Sequence, residues 1–376
     1  MSEKVLVLLS SGGEAMRRSV RAYISAARGR YELRILAPDA EAKAFRDLGI
    51  PIESWRPAGL FNVLRSIGAL RRAVERDNPA IVHCFGWTAA AVAMGALPSR
   101  FASRTIVSLQ DPIRDNEMPK AFVDKRLPEL MTRAGAIVCA YAGIKRALVN
   151  GFHVAADRVT VLGYPVVSNT PRDLARPPGR RGPIVGWSGP LIADRSWEVA
   201  IDAVSQLIPD MPEIDLWIAG DGPVKTLVKA HARERGAQNA VTFFGPMPTP
   251  DLISGIDMLL VPQSRDGLPY QLIEGLVGGV PIVASNIGGI ADTLIDRPTA
   301  WLVPNDAEGF ADGIRDAWSR IDDAWLDAQA QRIPAIAEFD PERIHGEIFA
   351  IYDRLIAQTA AVAVDFTSSG AADDVL

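Results

Sequence analysis

Two carboxylates eight residues apart, Asp266 and Glu274, frame the stretch Asp-Gly-Leu-Pro-Tyr-Gln-Leu-Ile-Glu, which holds more usable chemistry than any other part of the chain. Pro269 suits the first turn of a helix, where its missing N–H leaves no bond unmade. Gly267 and Leu268 then fall at the helix amino end, where free amides and the positive end of the dipole favour a phosphate. Glu274, about five residues inside, lies roughly 7 to 8 Å further along the axis. The two acids can therefore flank a ligand with phosphate at its middle and hydroxyls at both ends, the shape of a nucleotide-sugar. Alone, Asp266 also reads as an ordinary helix cap and Glu274 as a solvated residue. The helix exit at Gly278-Gly279-Val280-Pro281, the buried strand after it and the Gly288-Gly289 turn favour the binding reading.

The surrounding chain supplies elements that hold such a site. Near-continuous apolar runs at 5–9, 31–36, 80–84, 105–109, 136–139 and 159–162 alternate with helical stretches, the pattern of a parallel sheet covered on both faces. A second series follows at 184–187, 215–219, 241–244, 258–261, 282–284 and 301–303. Between them, 168–183 is rich in Pro, Gly and Arg and reads as a linker. The α/β reading is thus two Rossmann-like, doubly wound domains, 1–167 and 184–340, facing a central cleft with their strand carboxyl ends. A last helix is expected over 341–360, and the small, polar, acidic stretch 363–376 reads as a disordered tail.

Composition narrows the class. With 48% hydrophobic and 23% charged residues, the chain is that of a soluble globular protein, and no apolar run reaches the roughly 18 residues a spanning helix needs. Two cysteines, Cys84 and Cys139, sit in expected strands and read as reduced core thiols of a cytoplasmic protein. No metal-binding spacing is present, so no metal is expected. The net charge of −5 conceals an asymmetry: residues 1–170 hold 24 Lys and Arg against 15 Asp and Glu, the remainder 16 against 30. A basic first half suggests an anionic partner there. No nucleic-acid motif accompanies the charge, so a membrane surface or lipid phosphate fits better than nucleic acid. The amphipathic stretch 60–76, with Arg65, Arg71, Arg72 and Arg76 on its polar face, reads first as a packed helix and second as a membrane-facing one.

The segment 266–274 resembles the E-x7-E signature of retaining GT-B glycosyltransferases of group 1, the family 4 kind, with Asp266 in place of the usual first Glu. Other stretches share the likeness: Gly186-Trp187-Ser188-Gly189-Pro190-Leu191, Leu216 to Pro223, Phe243-Phe244-Gly245-Pro246-Met247-Pro248 and Ile81-Val82-His83-Cys84-Phe85-Gly86. The resemblance spans about 3–358 and implies a GT-B fold whose last helix crosses back to the first domain. It implies transfer of a sugar from a UDP- or GDP-sugar, without cofactor or metal, to a carbohydrate or lipid-linked acceptor. By position, Asp266 meets the sugar, Glu274 the ribose, Gly267 and Leu268 the phosphates, and Arg195 the diphosphate; Asp266 and Arg195 are the expected catalytic pair. Gly12, Gly13, Gly189 and Gly245 complete the sugar-donor side. His83, Gln110 and Asp111 mark the acceptor side.

Two departures stand out against that family. Pro190 occupies the position of a diphosphate-gripping Arg, and Gln110 that of a His near the reacting sugar; Gln donates a hydrogen bond but cannot act as a base. They motivate a rival expectation, a GT-B-shaped binding or assembly protein with impaired catalysis. A nucleotide-sugar epimerase of similar fold is a third. The family reading places the protein in the cytoplasm, in cell-surface polysaccharide or glycolipid synthesis, with peripheral contact at the inner face of the membrane.

Overall fold

Seven short strands of the first unit pair entirely in parallel: β1 Lys4–Leu9, β2 Glu32–Pro38, β3 Ile52–Trp55, β4 Ile81–Phe85, β5 Thr105–Leu109, β6 Ala136–Cys139 and β7 Val159–Val161, in the order β3-β2-β1-β4-β5-β6-β7. A second parallel sheet holds β8 Ile184–Ser188, β9 Asp215–Ala219, β10 Val241–Gly245, β11 Met258–Val261, β12 Ile282–Ser285 and β13 Ala300–Val303, in the order β10-β9-β8-β11-β12-β13. The computed structural model describes residues 2–10, 14–55, 60–113, 118–167, 181–193 and 196–369. The chain divides into two compact units, Met1–Pro165 with Pro341–Leu376, and Val166–Asp340. Residues 168–180 of the expected linker lie outside the described residues.

The inner strands are buried along most of their length, as sheets covered on both faces require; β4, β5, β6, β11 and β12 are buried at every residue, whereas the edge strands β3, β7, β10 and β13 are only partly so. The apolar runs locate twelve of these thirteen strands to within a residue or two. They miss β3, a four-residue edge strand that follows Pro51 and carries Glu53 and Ser54, so its apolar signal is too short to register. Its one deep anchor is Trp55, whose indole N–H donates to the Leu9 carbonyl at 3.0 Å.

The final helix, Pro341–Ser369, belongs to the first unit although the whole second unit intervenes in sequence. Its buried residues Ile344, Ile348, Ile351, Tyr352 and Leu355 recur at helical spacing and share one core with Val5 and Val7 of β1 and Tyr23 and Ile24 of helix Glu14–Ala27. It runs past the expected end near 360. The tail expected from 363 is therefore helical through Ser369: Thr-Ala-Ala-Val-Ala-Val holds no breaker, and the first glycine is Gly370. Residues 370–376 lie outside the described residues.

Candidate functional site

In the second sheet β8 lies between β9 and β11, so the connections leaving β8 and β11 diverge to opposite sides. That divergence makes a crevice beyond the strand carboxyl ends, the place where open α/β sheets receive ligands. The loop leaving β11 carries the 266–274 stretch. It is tied at two points. The Gln263 amide donates to the side chains of Ser285 and Asn305, at 2.8 and 3.1 Å. Three residues on, Asp266 Oδ1 accepts from the Gly289 amide at 2.9 Å, at the start of helix Gly288–Leu294. Gly288 has φ +42°, and a Cβ there would stand 1.6 Å from Asp266 Oδ1, so the carboxylate fits only because this residue is glycine.

Asp266 itself is exposed, whereas Gly267 and Leu268 are buried, with Leu268 only 3% accessible. Leu268 anchors the loop just before the helix. The helix is Tyr270–Gly278, and Pro269 is its extended N-cap (φ −71°, ψ 141°) rather than its first helical residue. The shift is one position: the Pro269 carbonyl accepts from Leu272 N at 3.1 Å, so proline still opens the helix. Glu274 is the fifth helical residue and half-buried. At the far end Gly279 takes the left-handed conformation (φ 73°, ψ 43°), and Val280 N donates back to the Gly275 carbonyl at 3.3 Å, a glycine-dependent stop.

The loops after β8, β9 and β10 interleave through glycines. Gly189 N donates to the Ala219 carbonyl at 3.0 Å, and Gly220 N to the Gly245 carbonyl at 2.7 Å. A Cβ on Gly220 would lie 1.9 Å from the Gly189 carbonyl oxygen. Gly189 thus adjoins the crevice, with its own N–H spent on the neighbouring strand's carbonyl. Gly245 (φ +75°) has nothing within 4 Å of where a Cβ would stand, and Phe244 beside it is exposed and tilted against Trp217 with ring centres 4.8 Å apart. Pro190 is exposed. Arg195, Gly12 and Gly13 lie outside the described residues.

In the first unit the corresponding divergence falls between β1 and β4. Gly86 (φ +90°) passes so close to Ser10 that a Cβ would meet its Oγ at 2.7 Å, while that Oγ accepts from Ala89 N at 2.9 Å. His83 is not presented there. It is fully buried, with Nδ1 2.7 Å from the Tyr352 hydroxyl and Nε2 2.7 Å from Ser108 Oγ. The Tyr352 hydroxyl also lies 2.7 Å from that of Tyr23. Burial, with a smaller contribution from nearby His345, pushes the His83 pKa down to about 3, so the imidazole is neutral. The acceptor-side expectation for His83 is therefore corrected: a neutral ring with both nitrogens engaged is a structural clamp on the final helix.

Gln110 is half-buried and lines a cavity of about 40 Å³ with Ser19, Ser108, Tyr164 and His345, while its carbonyl accepts from the Tyr164 hydroxyl at 3.0 Å. Asp111 is half-buried, its carbonyl accepting from the Trp87 indole at 2.8 Å. Both cysteines are buried thiols, and burial pushes Cys139 up to about 12, in keeping with inert core positions. The basic stretch forms helix Leu60–Asp77, in which Arg76 pairs with Glu53 and Asp77 and Arg71 donates to the Ala96 carbonyl. The side chain of Arg65 lies outside the described residues. Among the described residues no helix is long and apolar enough to cross a membrane.

Sequence reasoning missed Ser285 and Asn305. The available signal was slight: a serine closing an otherwise apolar strand, and an Asn-Asp pair between the next strand and its helix.

Known proteins match both units. A model of the glycosyl transferase 4-like domain covers 14–165, and one of glycosyl transferases group 1 covers 182–320. The 2-deoxystreptamine glucosyltransferase of Streptomyces kanamyceticus is 22% identical over 61% of this chain and 60% of its own length. The 2-deoxystreptamine N-acetyl-D-glucosaminyltransferase of Streptomyces fradiae is 26% identical over 48% of this chain and 44% of its own. The matches thus span about half the length of these curated relatives. Among solved structures, Alr3699/HepE of Anabaena, crystallised with UDP, has a TM-score of 0.78 at 18% identity, covering 93% of this chain and 100% of that one. A glycosyltransferase from Rickettsia africae has a TM-score of 0.76 at 16% identity, covering 95% and 99%. These likenesses show the fold, two Rossmann-like units of the GT-B kind. The chain belongs to the group 1 glycosyltransferases, with a first unit of the family 4-like type.

Proposed function

We propose that this protein moves a sugar from a UDP- or GDP-sugar to a carbohydrate or lipid-linked acceptor, with retention of anomeric configuration and without a metal, in the synthesis of a cell-surface polysaccharide or glycolipid. The observation that carries the reading is the pinned loop at the β8–β11 divergence, which holds Asp266 exposed immediately before the amino end of a helix bearing Glu274. The helix amides and Arg195 receive the diphosphate, Asp266 the sugar and Glu274 the ribose. Charge that grows on the leaving diphosphate is met by fixed dipoles and one guanidinium, which is electrostatic stabilisation of the departing group. Family membership and relatives named as glycosyltransferases support it. The UDP complex reported for Alr3699/HepE favours a uridine donor. Gln110 and Asp111 remain the acceptor-side residues of the proposal, and the protein acts in the cytoplasm, touching the inner membrane face through its basic first unit.

Pro190, exposed where the family carries an arginine, favours one second reading, a binding or assembly protein with little turnover. A panel of UDP-, GDP- and ADP-sugars, followed for released nucleotide with and without lipid extract, separates the two. Acceptor-dependent release supports transfer. Thermal stabilisation by a nucleotide without release supports the second reading, and no stabilisation by any nucleotide contradicts a sugar-donor site. Isomerised sugar formed without acceptor identifies an epimerase.

A further inference from the structure

We infer that Asn305, acting with Ser285, is a positioning residue for the loop that presents Asp266, an inference that rests on the sugar-donor reading above. Ser285 is the last residue of β12 and fully buried. Asn305 follows β13 by two residues and stands next to Asp306, whose carboxylate caps helix Ala307–Ser319 by accepting from Gly309 N at 2.8 Å. The two side chains meet at one backbone amide of a third strand end. Gln263 N donates to Ser285 Oγ at 2.8 Å and to Asn305 Oδ1 at 3.1 Å, and Ser285 Oγ donates its own proton to Asn305 Oδ1 at 2.7 Å. A single carboxamide oxygen therefore gathers the ends of β11, β12 and β13.

The position of this knot gives it a role beyond packing. It lies three residues before Asp266, which makes the second tie, to Gly289. Only Ser264 and Arg265, both exposed, stand between the two ties. With both ends fixed, the backbone leading to Asp266, Gly267 and the helix start has little room to choose another path. With the Asn305 oxygen gone, the buried Ser285 hydroxyl loses its acceptor and Gln263 keeps one partner in place of two. The loop is then free to drift while its charges stay unchanged. Asparagine's oxygen, not its nitrogen, does this, so aspartate preserves the knot and leucine, of similar size, abolishes it.

The test measures UDP, GDP and ADP binding to the full chain by calorimetry and carries forward the tightest. Asn305→Leu is expected to weaken that nucleotide about tenfold, the equivalent of one buried hydrogen-bond partner lost, and Ser285→Ala about threefold. Asn305→Asp is expected to bind within about twofold of the unaltered chain, since it keeps the acceptor. A residue that merely stabilises the fold would lower the thermal midpoint and leave the affinity alone. Unchanged affinity in Asn305→Leu therefore overturns the inference, as does Asn305→Asp binding as weakly as Asn305→Leu. Should Asn305→Leu not fold, unchanged affinity in Ser285→Ala overturns it equally. An unaltered chain that binds none of the three nucleotides is a different result: it removes the sugar-donor reading, and this inference falls with it.

Discussion

The two sheets begin with the same strand order, third, second, first, fourth, and so each has a divergence between its first and fourth strands. What the sequence places at the two carboxyl edges differs. In the second unit Asp266 is exposed and Glu274 half-buried, and the buried Ser285 hydroxyl and the half-buried Asn305 oxygen hold the loop that leads to them. In the first unit His83, Ser108, Tyr23 and Tyr352 are closed into a chain of hydrogen bonds at 2.7 Å that fastens the final helix to the sheet. One topology thus carries the proposed binding site in one unit and internal fastening in the other. The difference lies in whether polar side chains are left accessible at the sheet's edge or closed against a packed helix, a case of function residing in the site and not in the fold.

Substitutions on the two sides should fail in opposite ways. The largest effect is expected from His83→Leu, which deprives the buried Ser108 hydroxyl and Tyr352 of a partner. A loss of about 3 kcal/mol of stability by chemical denaturation is expected, with nucleotide affinity unchanged; an unchanged stability would show that the hydrogen-bond chain fastens nothing. Asp266→Asn should do the reverse. Its Oδ1 still accepts from Gly289, so the thermal midpoint holds, while transfer falls about 100-fold with the lost charge. Full turnover in that variant would remove Asp266 from the chemistry.

Two further effects sharpen the contrast. His83 has a folded pKa of about 3 against an ordinary 6.5, so the unfolded chain binds the extra proton between those values. Stability should therefore decline as pH is lowered from about 6.5 towards 3, and the His83→Leu variant should show a shallower decline. An identical pH profile in both would argue against a neutral buried imidazole. The smallest effect is expected from Gly279→Ala, at a position with φ +73° where a Cβ would meet Gln329 Nε2 at 2.9 Å. A loss of about 1 kcal/mol is expected, with no change in the ratio of transfer to binding.

How much of this is legible in the sequence follows the physics of each feature. Buried parallel strands announce themselves as apolar runs, so twelve of the thirteen are readable, and the miss is an edge strand half made of polar residues. The Asp266–Glu274 frame is readable because glycine, proline and acid spacing is local. The knot at Asn305 is not, since it joins Gln263 to residues 22 and 42 positions away. His83 misleads for a related reason: a histidine within an apolar strand looks the same in sequence whether it serves a site or meets a tyrosine 269 positions further on. The final helix overruns its expected end because 361–369 hold neither glycine nor proline and are still a competent helix.

Amide hydrogen exchange on the full chain, with and without the tightest of UDP, GDP and ADP, tests the central claim most directly. Nucleotide should slow exchange in 263–274, at the loop and the first turns of the helix that follows, and leave the strand around His83 untouched. Protection confined to the first unit, or none anywhere under saturating nucleotide, would contradict a sugar-donor site at the β8–β11 divergence.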